Sequence, residues 1–125
     1  MNPQRRLAIL RLVFWAAAVF AFVMAVIPHP PHLPGEPSDK IQHIMAFLVL
    51  GGLAGFAFPI SSPLVLGAGL SLFGAFIELV QHIPSLHRDS DLIDWIADTI
   101  AAALVLFAIN RLRARGRDEA VSDQV

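Results

Sequence analysis

Phe73–Ala103, FGAFIELVQHIPSLHRDSDLIDWIADTIAAA, is the stretch on which the reading of this chain turns. An apolar run closes with Glu78, Gln81 and His82, a short polar hairpin follows, and a second apolar run opens with Asp91, Asp94 and Asp98. Spacings of three and four residues place each polar trio on one face of a helix. The stretch therefore predicts two apolar helices whose polar ends meet beside one tight turn.

The whole chain has the same character. Its 125 residues are 56% hydrophobic and only 15% charged, and the mean hydropathy is +0.65. A soluble domain carries about 25% charged residues, so the composition describes a membrane protein, read as one membrane domain over residues 1–125. The formal net charge is −1, and no basic, aromatic-interleaved surface exists to hold phosphates, which argues against a nucleic-acid partner. Cysteine is absent, which removes disulfides, thiolate catalysis and zinc–thiolate sites.

Outward from the quoted stretch, spans are expected at about 7–27, 41–58, 63–80 and 92–109, giving an all-α four-transmembrane-helix bundle. A bilayer core needs roughly 20 helical residues, a length the first span reaches if Arg11 snorkels back to the headgroups. Pro28, Pro30 and Pro31 stop it. Basic residues before an apolar run also describe a secretory signal, but this run exceeds the roughly 7–15 residues of a signal core and is read as a span. His29–Ser38, HPPHLPGEPS, reads as an exposed connection, with Ser38 or Asp39 capping the next helix. Gly51, Gly52 and Gly55 provide a GxxxG spacing that admits a close helix neighbour. The tail after Gly116, ending DEAVSDQV, is expected to fray.

The arginines set the expected orientation. Arg5, Arg6 and Arg11 precede the first span and Arg111, Arg113, Arg115 and Arg117 follow the last, whereas the connections at the other end carry only Lys40 and Arg88. The positive-inside rule then puts both termini in the cytoplasm of a cell that holds the protein in its plasma membrane. The remaining polar residues fall toward the outer leaflet, and they are the candidate binding residues: Asp39, Lys40, His43, Glu78, Gln81, Arg88, Asp94 and Asp98.

A charge at the centre of a membrane helix costs about 2.5–3.5 kcal/mol on insertion scales, so these groups must face one another or water. Asp39, Glu78, Asp91, Asp94 and Asp98 outnumber Lys40 and Arg88, which leaves acid in excess. The surplus has to be solvated, protonated, shared with histidine or offset by a bound cation. Lys40 and Arg88 are read either as ion-pair partners of Asp39, Asp91 or Asp94, or as hooks for an anionic headgroup. Asp94 and Asp98, an i, i+4 pair of like charge, either hydrogen-bond a neighbouring helix or pass a proton. His43 is expected to bond a carboxylate on another helix, and His82 to sit at the membrane boundary. Glu78 is expected to bond the fourth span near Asp98 or Thr99. His43 and His82 with Glu78 and Asp94 are the residue types of a metal site, but no metal spacing such as HExxH is present and no metal is assigned. No cofactor is expected either, since the GGxxG after Leu50 lies mid-span and follows no strand.

At these residues the chain resembles the VanZ-like family of small integral membrane proteins. The likeness rests on D-K-x-x-H-x-x-A-F-x-x-L-G from Asp39 to Gly51, E-x-x-Q at Glu78 and Gln81, and R-x-S-x-x-x-D-x-x-x-D-T from Arg88 to Thr99. It covers roughly residues 28–106. The chain departs from the pattern at Phe47, where tyrosine is frequent, at Asp98, where asparagine is common, and at Ala101, where glycine is usual. The resemblance implies a membrane fold and an association with the cell envelope and glycopeptide-antibiotic resistance, chiefly to teicoplanin, with no established reaction. The expected role is an outward-facing polar pocket that binds a membrane lipid, a lipid-linked envelope precursor or a lipoglycopeptide. The alternatives are a membrane-embedded hydrolase or transferase using Glu78 or Asp94 with His43 and, ranked lower for want of inverted repeats, a proton-coupled transporter.

Overall fold

The computed structural model describes residues 1–28, 35, 38–88 and 90–125. Four α-helices follow one another: α1 (Pro3–Val26), α2 (Asp39–Ala57), α3 (Pro63–Gln81) and α4 (Leu92–Ser122), with a single 3₁₀ turn at Pro84–Leu86 before α4. All four are long and apolar enough to cross a membrane. The protein is an all-α, multi-pass membrane protein. The expected irregular connection at 29–37 lies outside the described residues apart from Gly35.

Each helix starts where the sequence supplies a cap. Asn2 Oδ1 accepts the Gln4 amide at 3.0 Å and Pro3 occupies the first turn, so α1 begins four residues before the expected span. Ser38 rather than Asp39 caps α2, its hydroxyl accepting the Ile41 amide at 3.3 Å. Ser62 and Asp91 do the same for α3 and α4. These side chains satisfy amides that the first turn of any helix leaves unpaired.

The expectation of a frayed tail is corrected. The α4 helix runs through Gly116 to Ser122. The segment is rich in arginine, leucine, alanine and glutamate, all strong helix formers, and the one glycine costs only about 1 kcal/mol against alanine.

The helices alternate in direction, so α2 and α4 run parallel. They form the most extensive helix pair, α4 also packs on α3, and α1 leans on α2 and α3 with little contact to α4. Burial follows that order: 39% of the α2 span is enclosed against 17% of the α1 span. Leu12, Phe20, Leu72, Leu79 and Leu104 are exposed on the outer faces, where lipid tails rather than water would meet them. Along the core, Phe47, Leu50, Ala54, Ile77, Ala102 and Leu106 are buried.

The GxxxG expectation holds at two of its three glycines. A Cβ on Gly51 would lie 3.2 Å and 3.3 Å from Ala102 backbone atoms, and one on Gly55 would lie 2.8 Å from Ile109 Cδ1. Small residues thus bring α2 and α4 to backbone distance. Gly52 has nothing within 4 Å of its Cβ position.

Candidate functional site

The close approach of two parallel helices decides which polar groups meet. With Gly51 and Gly55 seated on α4, the first turns of α2 and α4 stand side by side, and Lys40 and His43 face Asp94 and Asp98. Lys40 Nζ lies 3.5 Å from Asp94 Oδ1 in the outer layer. One turn deeper, His43 Nδ1 is 3.2 Å from Asp98 Oδ2. The like-charge pair on α4 is relieved because each aspartate takes its own partner from α2. The two layers differ in depth: the Lys40 side chain is 46% exposed and that of Asp98 only 1%.

The third helix closes the inner layer. His43, Glu78 and Asp98 each offer a ligand-type atom, and these atoms all lie within 4.8 Å of one another. Glu78 reaches them from α3 while its own carboxylate is fixed at the far side: Oε2 accepts the Ser90 hydroxyl at 2.9 Å and the Asp91 amide at 3.0 Å. Its expected bond to the fourth span is thus made at the entry of α4 rather than at Thr99. Thr99 instead pairs with Ser71, hydroxyl to hydroxyl at 2.9 Å. Glu78 Oε1 and Asp98 Oδ1 are buried with no hydrogen-bond partner. Asp94 Oδ1 also lacks a hydrogen bond, but it has the Lys40 ammonium beside it.

Other expected members stand apart. Gln81 is buried, and its Nε2 donates to the Ala25 carbonyl at 2.8 Å, closing the open end of α1. Glu78 and Gln81 share a helix face yet serve different neighbours, so the anticipated single stripe on α3 is divided between α4 and α1. His82 ends α3 on the exposed surface, and Asp91 is likewise exposed as the α4 cap. Trp95 donates its indole N–H to the Ser71 carbonyl at 2.9 Å. Phe47, at a position where a hydroxyl was a possibility, is buried against Phe73 and Gly74 instead.

The pocket is not the charge cluster. A cleft of about 610 Å³ opens between α1 and α2. Phe20, Ala21 and Met24 wall it on α1 and Met45, Ala46 and Val49 on α2. Polar side chains gather at one end only: Asp39, Gln42, His43 and Arg88. Lys40, Glu78, Gln81, Asp94 and Asp98 do not line it: Lys40 and Asp94 pair with each other, Glu78 and Asp98 are buried beside His43, and Gln81 is bonded to the Ala25 carbonyl. Among the described residues no carboxylate stands within ion-pair distance of Arg88. His43 belongs to both places, touching the cleft while its Nδ1 is held by Asp98. Sequence reasoning missed this cleft, since its walls are ordinary membrane apolar residues that carry no motif.

No family model, curated protein or solved structure matches this chain.

Proposed function

We propose that this is a VanZ-like plasma-membrane protein that binds an amphiphile: an alkyl chain in the cleft between α1 and α2, and an anionic headgroup at Arg88. The observation that carries the reading is the division of the cleft, apolar along its length and polar at one end. Its volume falls within the roughly 300–1,000 Å³ typical of small-molecule sites. From Asp39 to Leu50 the cleft follows about 16 Å of helix, enough for a substantial length of acyl chain. Arg88 supports the headgroup assignment: among the described residues no carboxylate lies within ion-pair distance of its guanidinium, a group that suits a phosphate or carboxylate. The positive-inside bias supports an outward-facing polar end and cytoplasmic termini. The occupants that fit are a membrane phospholipid, a lipid-linked envelope precursor or a lipoglycopeptide.

The test is lipid retention. Protein purified in detergent and exchanged into nanodiscs should bind a fluorescent anionic phospholipid in preference to its zwitterionic analogue. Arg88→Ala should weaken binding about tenfold or more by removing a charge-assisted contact. Ala46→Trp should abolish binding by filling the cleft, with no change in the unfolding temperature for either variant. Equal binding of the two lipids, or wild-type binding by Ala46→Trp, rules the reading out.

A second reading is favoured by one contact. With Nδ1 engaged by Asp98, His43 has Nε2 available to act as a base on a bound ester or phosphoester, the arrangement a hydrolase or transferase uses. Asp98, rather than Asp94, is then the positioning carboxylate. Turnover of a lipid substrate that vanishes in His43→Gln would support it.

A further inference from the structure

We propose that His43, Glu78 and Asp98 form a divalent-metal site of the borderline class, suited to zinc, manganese or ferrous iron, sealed between α2, α3 and α4. This inference stands on the buried cluster alone and not on the amphiphile reading.

The first argument is the donor set. One imidazole and two carboxylates are ligands that borderline divalent ions accept. His43 Nδ1 and Asp98 Oδ2, 3.2 Å apart, span one edge of a coordination shell with bonds of about 2.1 Å. The three ligand-type atoms all lie within 4.8 Å of one another, where adjacent ligands of such a shell stand about 3.0–3.4 Å apart. A small carboxylate rotation closes that gap.

The second argument is independent of spacing. Asp98 is fully buried and Glu78 is 8% exposed, yet Asp98 Oδ1 and Glu78 Oε1 have no donor. A buried acceptor left unpaired costs about 1–3 kcal/mol, and more when charged. A divalent ion seated among these groups would take up both unpaired oxygens at once. The nearest cation on α2, Lys40, is engaged with Asp94 in the layer above.

The third argument is preorganisation. Glu78 is held from behind by Ser90 and the Asp91 amide, and those bonds leave its other oxygen for the cluster. Outer hydrogen bonds of this kind orient carboxylate ligands and raise metal affinity. Three protein ligands also leave at least one coordination position open, as in catalytic rather than structural metal sites.

The experiment uses the full chain in detergent, stripped with chelator and titrated calorimetrically with Zn²⁺ or Mn²⁺ alone. One equivalent should bind per chain and raise the unfolding temperature. Glu78→Gln and Asp98→Asn should each weaken binding at least tenfold, and His82→Ala should leave it unchanged. No saturable one-to-one binding, or wild-type affinity in both carboxylate variants, overturns the proposal. If those variants do not fold, Cu²⁺ loaded into the wild-type protein decides by its electron paramagnetic resonance. Coupling to one imidazole nitrogen supports the site, whereas coupling to none or to several overturns it. Lipid retention by the stripped protein is measured separately, so failure of either proposal is visible without the other.

Discussion

The two ends of the bundle solve the same problem in different ways. At the end where α2 stops and α3 starts, arginines fold back onto the last carbonyls of α2. Arg11 Nε donates to Ala57 at 3.2 Å and Arg113 Nη2 to Gly55 at 2.8 Å. Their guanidinium groups also lie over the Phe58 and Phe56 rings, 5.5 Å and 5.6 Å from the centroids. At the opposite end, side chains on three helices meet each other: Lys40 with Asp94, His43 with Asp98, and Glu78 beside them. A long cation reaches the boundary from almost any register, so the arginine end tolerates imprecision. Aspartate and histidine have no such reach, and their pairing demands that the helix backbones be correctly placed. The second end therefore depends on helix registry in a way that the first does not.

The largest expected effect tests that demand. His43→Ala leaves Asp98 buried without its partner and should cost about 3–5 kcal/mol in reversible unfolding, as for other broken buried pairs. Adding Asp98→Asn to it should recover part of the loss. A cost below about 1 kcal/mol would show the inner layer to be hydrated and the contrast between the ends to be unreal.

Backbone placement comes next. Gly51→Val puts a Cβ 2.6 Å from Val105 Cγ1 and 3.2 Å from the Ala102 carbonyl oxygen, and overpacking of this kind costs about 1–3 kcal/mol. The same substitution should weaken metal binding from a distance by shifting His43 against Asp98. Gly52→Ala is the control: with open space at its Cβ, it should be neutral or gain up to about 1 kcal/mol from helix propensity.

The arginine end should be softer. Arg113→Ala removes one partly buried hydrogen bond and a ring contact, for a loss of about 1 kcal/mol in the same unfolding assay. Smallest of all is Lys40→Met. The Lys40–Asp94 pair is half open to solvent, and its loss should stay within about 1 kcal/mol. A large effect there would merge the two layers of the acidic end into one.

Much of the fold was legible in the order of residues. Four apolar runs of membrane length, proline and glycine between them, and a cap at Ser38 account for all four helices. The end of α4 was not, because arginine, alanine and glutamate serve equally well in an exposed helix and in a polar tail. For the site, the sequence led to the expectation that His43 would bond a carboxylate on another helix, and left Lys40 either pairing with one of three aspartates or hooking an anion. It could not choose Asp98 over Asp94 for His43, since both lie on one face of α4 and the choice depends on how far α4 slides along α2. The separation of Gln81 from Glu78 was hidden for a similar reason: a helix face three residues wide can touch two neighbours.

Hydrophobic length and the distribution of proline, glycine and arginine, all local properties of the chain, determined that four helices would cross a membrane with their acidic ends together. Tertiary structure alone decided that three acid–base groups from α2, α3 and α4 share one buried point, and that the open cleft lies elsewhere, between α1 and α2. The physical reason is that helix registry and lateral order are set by packing of small residues across interfaces. Gly51 against Ala102 is one such contact, and a linear pattern carries no record of it.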